Sequence, residues 1–185
     1  CCTADIGNED DVKRVLSEIR EAYGAINGII HSAGVAGDGF IINKTRSTFE
    51  NVTNPKIRGT WLLDYYTRED NPDFFILFSS VTSITSNAGQ SDYTAANAYQ
   101  DSFAGYRNRY KKNTITINWP AWSETGMAFN HGIKFNGQLF KAIKTQDAIE
   151  GLHRIIFKKI SNIIVSQVDY NQLHSLNCEM SREIT

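Results

Sequence analysis

The 185-residue sequence has little cysteine, no long apolar run and no excess of charge, and each shortage closes off a class of function. Cys1 and Cys2 are neighbours and Cys178 lies far away, so the thiols offer neither a disulfide framework nor a metal-ligand spacing. No metal is expected, and unpaired thiols suit a reducing compartment. No stretch approaches the roughly 20 apolar residues of a membrane span, and the first residues lack the basic-then-apolar layout of a signal peptide. Lysine and arginine number 19 against 20 acidic residues, for a net charge of -1, with neither sign in a block. That balance argues against nucleic acid or an anionic membrane as a partner. No repeat, low-complexity tract or linker divides the chain. A hydrophobic content of 41% suits one domain with one core, in a soluble, cytoplasmic protein.

What is present alternates between two periodicities. Asp10 to Tyr23 places Val12, Val15, Leu16 and Ile19 on one helical face, and Gly24 stops the helix. Ile26 to His31 is a short β-branched run opening into Ser32-Ala33-Gly34. A second helix is expected from Thr48 to about Thr67, with Pro55 as its weak point. Phe74 to Phe78 is apolar on both alternating faces and reads as a central parallel strand. Tyr93 to Tyr110, alanine-rich and free of proline, predicts a long helix, and Ile115 to Trp119 a buried strand ending at Pro120. Ser123 to about Gln138 has little periodicity and reads as a mobile loop or lid, or as an ordered surface loop. Thr145 can cap a helix through Ile156, and Ile163 to Val168 predicts a last strand. The expected fold class is α/β, a Rossmann-like, doubly wound parallel sheet with ligands at the C-terminal ends of its strands.

Ser80, Gly34 and Pro120 each follow one of these strands. Tyr93 and Asn97 share a helix face one turn apart. A tyrosine hydroxyl serves best as a proton donor to a ketone when a cation draws its pKa from near 10 toward neutrality, and Lys56 is the candidate cation. A serine at a strand end can hold a carbonyl oxygen and complement the charge that develops there. Taken singly, each has an ordinary explanation: tyrosine as packing, lysine as a solvated charge, serine as a turn residue.

Jointly, Lys56, Ser80, Tyr93 and Asn97 resemble the active site of the short-chain dehydrogenase/reductases, specifically the ketoreductase domains of modular polyketide synthases. Most of that superfamily has lysine four residues after the tyrosine; here Asn97 stands there and the lysine lies upstream, as in the polyketide branch. His31-Ser32-Ala33-Gly34-Val35, Leu77-Phe78-Ser79-Ser80, Gly89 to Ala98, and Asn118 to Trp122 with Gly126-Met127 are similar to that branch too. The resemblance implies that Tyr93 donates the proton, Ser80 orients the carbonyl, Lys56 tunes the tyrosine and contacts the nicotinamide ribose, and Asn97 supports the lysine. It implies NADPH as cofactor, lying against Asp5, Ile6, Ala33, Gly34 and Pro120. Asp5 reads equally as a helix cap or a solvated carboxylate. Asp38, Gln90 and Met127 fall where the family sorts substrate and stereochemistry. Ala36-Gly37-Asp38 keeps the last acid of the Leu-Asp-Asp string of B-type domains, and Gln90 replaces the tryptophan of A-type ones. B-type reduction, giving the D-hydroxyl, is therefore expected, although a surface turn explains Gly37-Asp38-Gly39 nearly as well.

A complete domain of this family begins with a strand and a Gly-rich turn that cradles pyrophosphate. No Gly-x-Gly-x-x-Gly occurs here. The expectation is that residues 1–185 are the C-terminal part of a single ketoreductase catalytic domain in a larger multidomain protein. Its expected partners are a β-ketoacyl substrate on an acyl carrier protein and the other domains of the same synthase. The alternative is a silent, structural reductase-like subdomain. A sugar-nucleotide epimerase or dehydratase is disfavoured by Asn97.

Overall fold

A computed structural model describes residues 1–110, 112–132 and 138–175; Cys178 lies outside them. Helix α1 (Glu9–Tyr23) begins at Asn8, whose side-chain oxygen accepts the amides of Asp10 and Asp11. Glu9, Asp10 and Asp11 in its first turn suit the positive end of the helix dipole. Val12 and Leu16 point inward, and Gly24, at φ 83°, ends the helix.

Strand β1 (Gly28–His31) pairs in parallel with β2 (Phe74–Ser80), Ile29 opposite Phe75 and His31 opposite Leu77. A Cβ at Gly28 would lie 2.2 Å from the Phe74 ring, so this register requires glycine there. Helix α2 (Arg46–Thr67) connects the two strands and starts two residues earlier than the sequence suggests, because the Thr45 hydroxyl caps the Thr48 amide. Pro55 has no amide to give the preceding turn, yet the helix continues to Thr67. Its buried face of Val52, Lys56, Gly59 and Leu62 holds it, and packing outweighs one missing hydrogen bond.

The chain continues through α3 (Thr82–Thr85), α4 (Ser91–Arg109) and β3 (Thr114–Trp119) and reaches β4 (Asn162–Ile164) after a long excursion. The strands form a four-stranded parallel sheet in the order β1-β2-β3-β4, the Rossmann-like α/β arrangement expected from the sequence. Phe75, Ile76 and Leu77 are wholly buried and all positions of β3 are buried, so the two central strands are covered on both faces. Ile29, Phe75, Leu77 and Phe103 form one apolar cluster; Val12, Leu16 and Leu62 form another between α1 and α2. Arg107 ties α4 to its neighbours: Nε donates to Asp64 at 2.7 Å, an NH2 group donates to Thr114 Oγ1 at 2.7 Å, and the guanidinium lies over the Phe75 ring.

These residues, Cys1–Asn118 with Ile156–Ile163, form one compact unit. A second comprises Trp119–Ile155 and the described residues from Ile164 onward. Within it, Trp122 bridges Ile143, Phe140 bridges Val168, and Gly151 on α6 (Thr145–Ile155) admits the Val165 side chain closely. Two expectations are corrected here. The final strand is shorter, ending at Ile164, because Val168 pairs instead with Phe140. The stretch read as a loop contains α5 (Met127–Asn130), entered through Gly126 at φ 88°; residues 133–137 of that stretch lie outside the described ones. No helix among the described residues is long and apolar enough to cross a membrane.

Candidate active site

Three elements of the first unit deliver the four residues singled out by the sequence. β2 ends on Ser80, the first turns of α4 carry Tyr93 and Asn97, and Lys56 lies on the buried face of α2. Ser80 Oγ accepts the Thr82 amide at 3.2 Å, and its hydroxyl hydrogen-bonds with the Tyr93 phenol. Burial pushes the Tyr93 phenol above its ordinary pKa of 10, while Ser80 and Asn97 pull the other way. Asn97 has no exposure; its Nδ2 donates to the Tyr93 carbonyl at 2.7 Å. Its Oδ1 is buried with no hydrogen-bond partner among the described residues.

Lys56 is only 2% exposed. Its ammonium donates to the Phe78 carbonyl at 2.5 Å and to Gln100 Oε1 at 3.1 Å. Burial lowers its pKa from 10.5 to about 8, opposed by the carboxylate of Asp101. In this structure Lys56 hydrogen-bonds to Gln100, and burial is the larger influence on the Tyr93 phenol. His31 lies near the same ammonium. Burial first, and Lys56 second, lower its pKa to about 4, so the ring is neutral at pH 7. Pro55 O, 3.0 Å from Nε2, can only accept, which assigns the ring proton to that nitrogen.

Sequence reasoning missed the groups that brace these residues. Gln100 continues the face of Tyr93 and Asn97 one turn further, and its Nε2 donates to Thr60 Oγ1 at 3.2 Å. Asn118, at the end of β3, donates to Ser83 Oγ at 2.7 Å and to Asp101 Oδ2 at 2.8 Å, fixing the loop after Ser80. The signal for Gln100 was its helical spacing; Asn118 lay in a string similar to the family's, without a sign of its partners.

A cleft of about 400 Å³ opens beyond β1, lined by Val35 to Gly39, Lys44, Asn51, Val52 and Asp92 among others. Asp38 and Gln90, both expected at the stereochemical control point, touch each other: Gln90 Nε2 donates to Asp38 Oδ1 at 3.3 Å. Next to Tyr93, Asp92 forms a buried ion pair with Lys44 at 2.6 Å. A Cβ at Gly37 would lie 2.4 Å from Val52 and 2.8 Å from Asp92, so the loop closes here only with glycine.

Of the expected cofactor residues, Ala33 is exposed and Gly34 half-buried at the end of β1, leaving the backbone open to approach. Asp5 is exposed and accepts the Gly7 amide at 2.8 Å. Ile6 packs against the Val12, Leu16 and Leu62 cluster. The contacts of this pair are those of a turn and a core edge. Pro120 is buried and Met127 opens α5; both belong to the second unit.

The family model described as "KR domain" matches residues 1–124. Polyketide synthase PksN of Bacillus subtilis (strain 168) is 32% identical over 178 residues, covering 91% of this chain and 3% of that protein. Polyketide synthase PksL of the same organism is 41% identical over 131 residues, 67% of this chain and 3% of that protein. Among solved structures, a ketoreductase domain from the bacillaene assembly line matches with a TM-score of 0.82 and 35% identity, covering 94% of this chain and 44% of that one. An N-terminal ketoreductase from the macrolactin assembly line gives 0.81 and 34%, covering 95% and 35%. The chain thus spans a small share of these synthases and under half of the solved ketoreductases, with Ser80, Tyr93 and Asn97 inside the matched stretch. It belongs to the KR family, the ketoreductase domains of polyketide synthases.

Proposed function

We propose that this chain carries the proton-transfer half of a ketoreductase site, reducing a β-ketoacyl thioester on an acyl carrier protein to the β-hydroxyacyl thioester. The observation that carries the reading is the gathering of the Tyr93 phenol, the Ser80 hydroxyl hydrogen-bonded with it and the buried Lys56 ammonium at the end of β2 and the start of α4. When bound, NADPH supplies the hydride. The residues present fit such a cofactor: the backbone at Ala33 and Gly34 is open, Asn97 Oδ1 lacks a partner, and one of the three N–H bonds of Lys56 is uncommitted among the described residues. By resemblance, Asp5 and Ile6 of the same unit would add contacts to it.

Ser80 donates a hydrogen bond to the ketone oxygen, keeping its own proton, and stabilises the charge that grows there. Tyr93 then releases its phenolic proton to that oxygen as the carbon gains hydride, so the C=O π bond is replaced by one C–H and one O–H bond. The raised phenol pKa keeps this acid loaded throughout the neutral range. Transfer remains downhill, because an alkoxide is a far stronger base than a phenolate. The Asp38–Gln90 contact supports the B-type reading, in which the loop after β1 directs the ketone to one face.

Tyr93→Phe in the intact protein, assayed with NADPH and a β-ketoacyl thioester, is expected to lower kcat by roughly 10² to 10⁴. The wild-type product is expected to be the D-alcohol. Undiminished turnover by the variant overturns the proton-donor assignment, and an L-product overturns the B-type one.

A further inference from the structure

The buried ammonium of Lys56 has three protons to place, and the fold fixes where two of them go. One meets the Phe78 carbonyl at the end of β2; another meets Gln100 Oε1 on α4. Gln100 is itself wholly buried and cannot rotate freely, since its Nε2 donates to Thr60 Oγ1, one turn beyond Lys56 on α2, and its backbone carbonyl accepts from Thr116 on β3. An ammonium group otherwise spins about its Cε–Nζ bond. With two acceptors at fixed positions, the direction of the third N–H is determined as well.

We propose that Gln100 is a positioning residue for Lys56, holding the ammonium so that its remaining N–H is presented to the reaction site. This rests on the reading of Lys56 as a site residue. A buried glutamine in the middle of a helix needs such a partner, because an unpaired side-chain amide would carry its full desolvation cost. The choice of a neutral amide also matters. Gln100 accepts from the charged ammonium without neutralising it, whereas a carboxylate there would lock the cation in an ion pair. The other ionisable groups facing Lys56 are His31 on β1, held neutral, and Asp101 on α4, whose Oδ2 is shared by Ser83 and Asn118.

Three substitutions in the intact protein, followed by titrating the Lys56 side chain by NMR without cofactor or substrate, separate this role from simple packing. Gln100→Leu keeps the bulk but removes the acceptor, and should move the Lys56 titration down by about one pH unit. Gln100→Glu should move it up by at least as much. Thr60→Val frees the Gln100 amide and should give a smaller downward shift. In the pH profile of kcat/KM, any limb due to Lys56 should move with the same signs. An unchanged Lys56 titration in folded Gln100→Glu and Thr60→Val overturns the proposal, even if Gln100→Leu does not fold. Shifts of the expected sign alongside a Tyr93→Phe variant of full activity would leave this contact standing while the functional reading fails.

Discussion

Two lysines on either side of the start of α2 are both buried, and the fold treats them in opposite ways. Lys44 meets a carboxylate: its ammonium lies 2.6 Å from Asp92, both side chains are within the protein, and the pair joins the loop after β1 to the start of α4. Lys56 donates to a backbone carbonyl and a neutral amide, with the Asp101 carboxylate acting only through space, and burial pulls its pKa to about 8. A fold needing merely to accommodate a buried cation has the first solution at hand. The second arrangement is the one the proposed function uses, a buried cation with no ion-pair partner in contact.

The largest effect expected from breaking this contrast is on Lys44. Lys44→Met leaves Asp92 as an uncompensated buried carboxylate and should lower the unfolding free energy by on the order of 3–5 kcal/mol. Adding Asp92→Asn should recover much of that in chemical denaturation. Loss without recovery would mean that the pair acts through shape rather than charge.

His31 sharpens the contrast from the other side. Its folded pKa of about 4 lies below the ordinary 6.5, so between these values the unfolded chain binds a proton that the folded chain refuses. Its contribution is fully present above pH 6.5 and is lost as pH falls through 4, by on the order of 3 kcal/mol at most. His31→Gln should flatten this part of the stability–pH curve, while Lys56→Met should only move it upward in pH, since burial is the larger cause and Lys56 the smaller. A curve unchanged by either substitution would separate His31 from the Lys56 environment.

Much of the frame was legible because it depends on local periodicity. The alternation of strands and helices, the burial of Phe75, Ile76 and Leu77 and the shared face of Tyr93 and Asn97 could all be read from spacing. The start of α2 was misplaced because a cap is one hydrogen bond, from Thr48 to Thr45. Helix α5 was hidden because four residues carry too little periodicity to register against a run of glycines and polar residues. The site divides in the same way. Lys56, Ser80 and Tyr93 were found as residue types in a pattern, but not the direction of the Lys56 ammonium, which depends on tertiary partners far away in sequence. Gln100 sat on the right face, with nothing local to mark it as buried. The Lys44–Asp92 pair had no local trace, since nothing in a sequence says which of its lysines will meet which acid across a fold.

The claim that Lys56 is held without a carboxylate in contact is tested most directly by the pH dependence of its contribution to stability. With a folded pKa of about 8 against 10.5 unfolded, the unfolded state binds the extra proton between these values, so stability rises with pH across that window. Unfolding free energies of the wild type and Lys56→Met, compared from pH 7 to pH 10.5, should therefore diverge in favour of the wild type by on the order of 3 kcal/mol. Parallel curves would contradict the account, placing Lys56 in a compensated environment like that of Lys44.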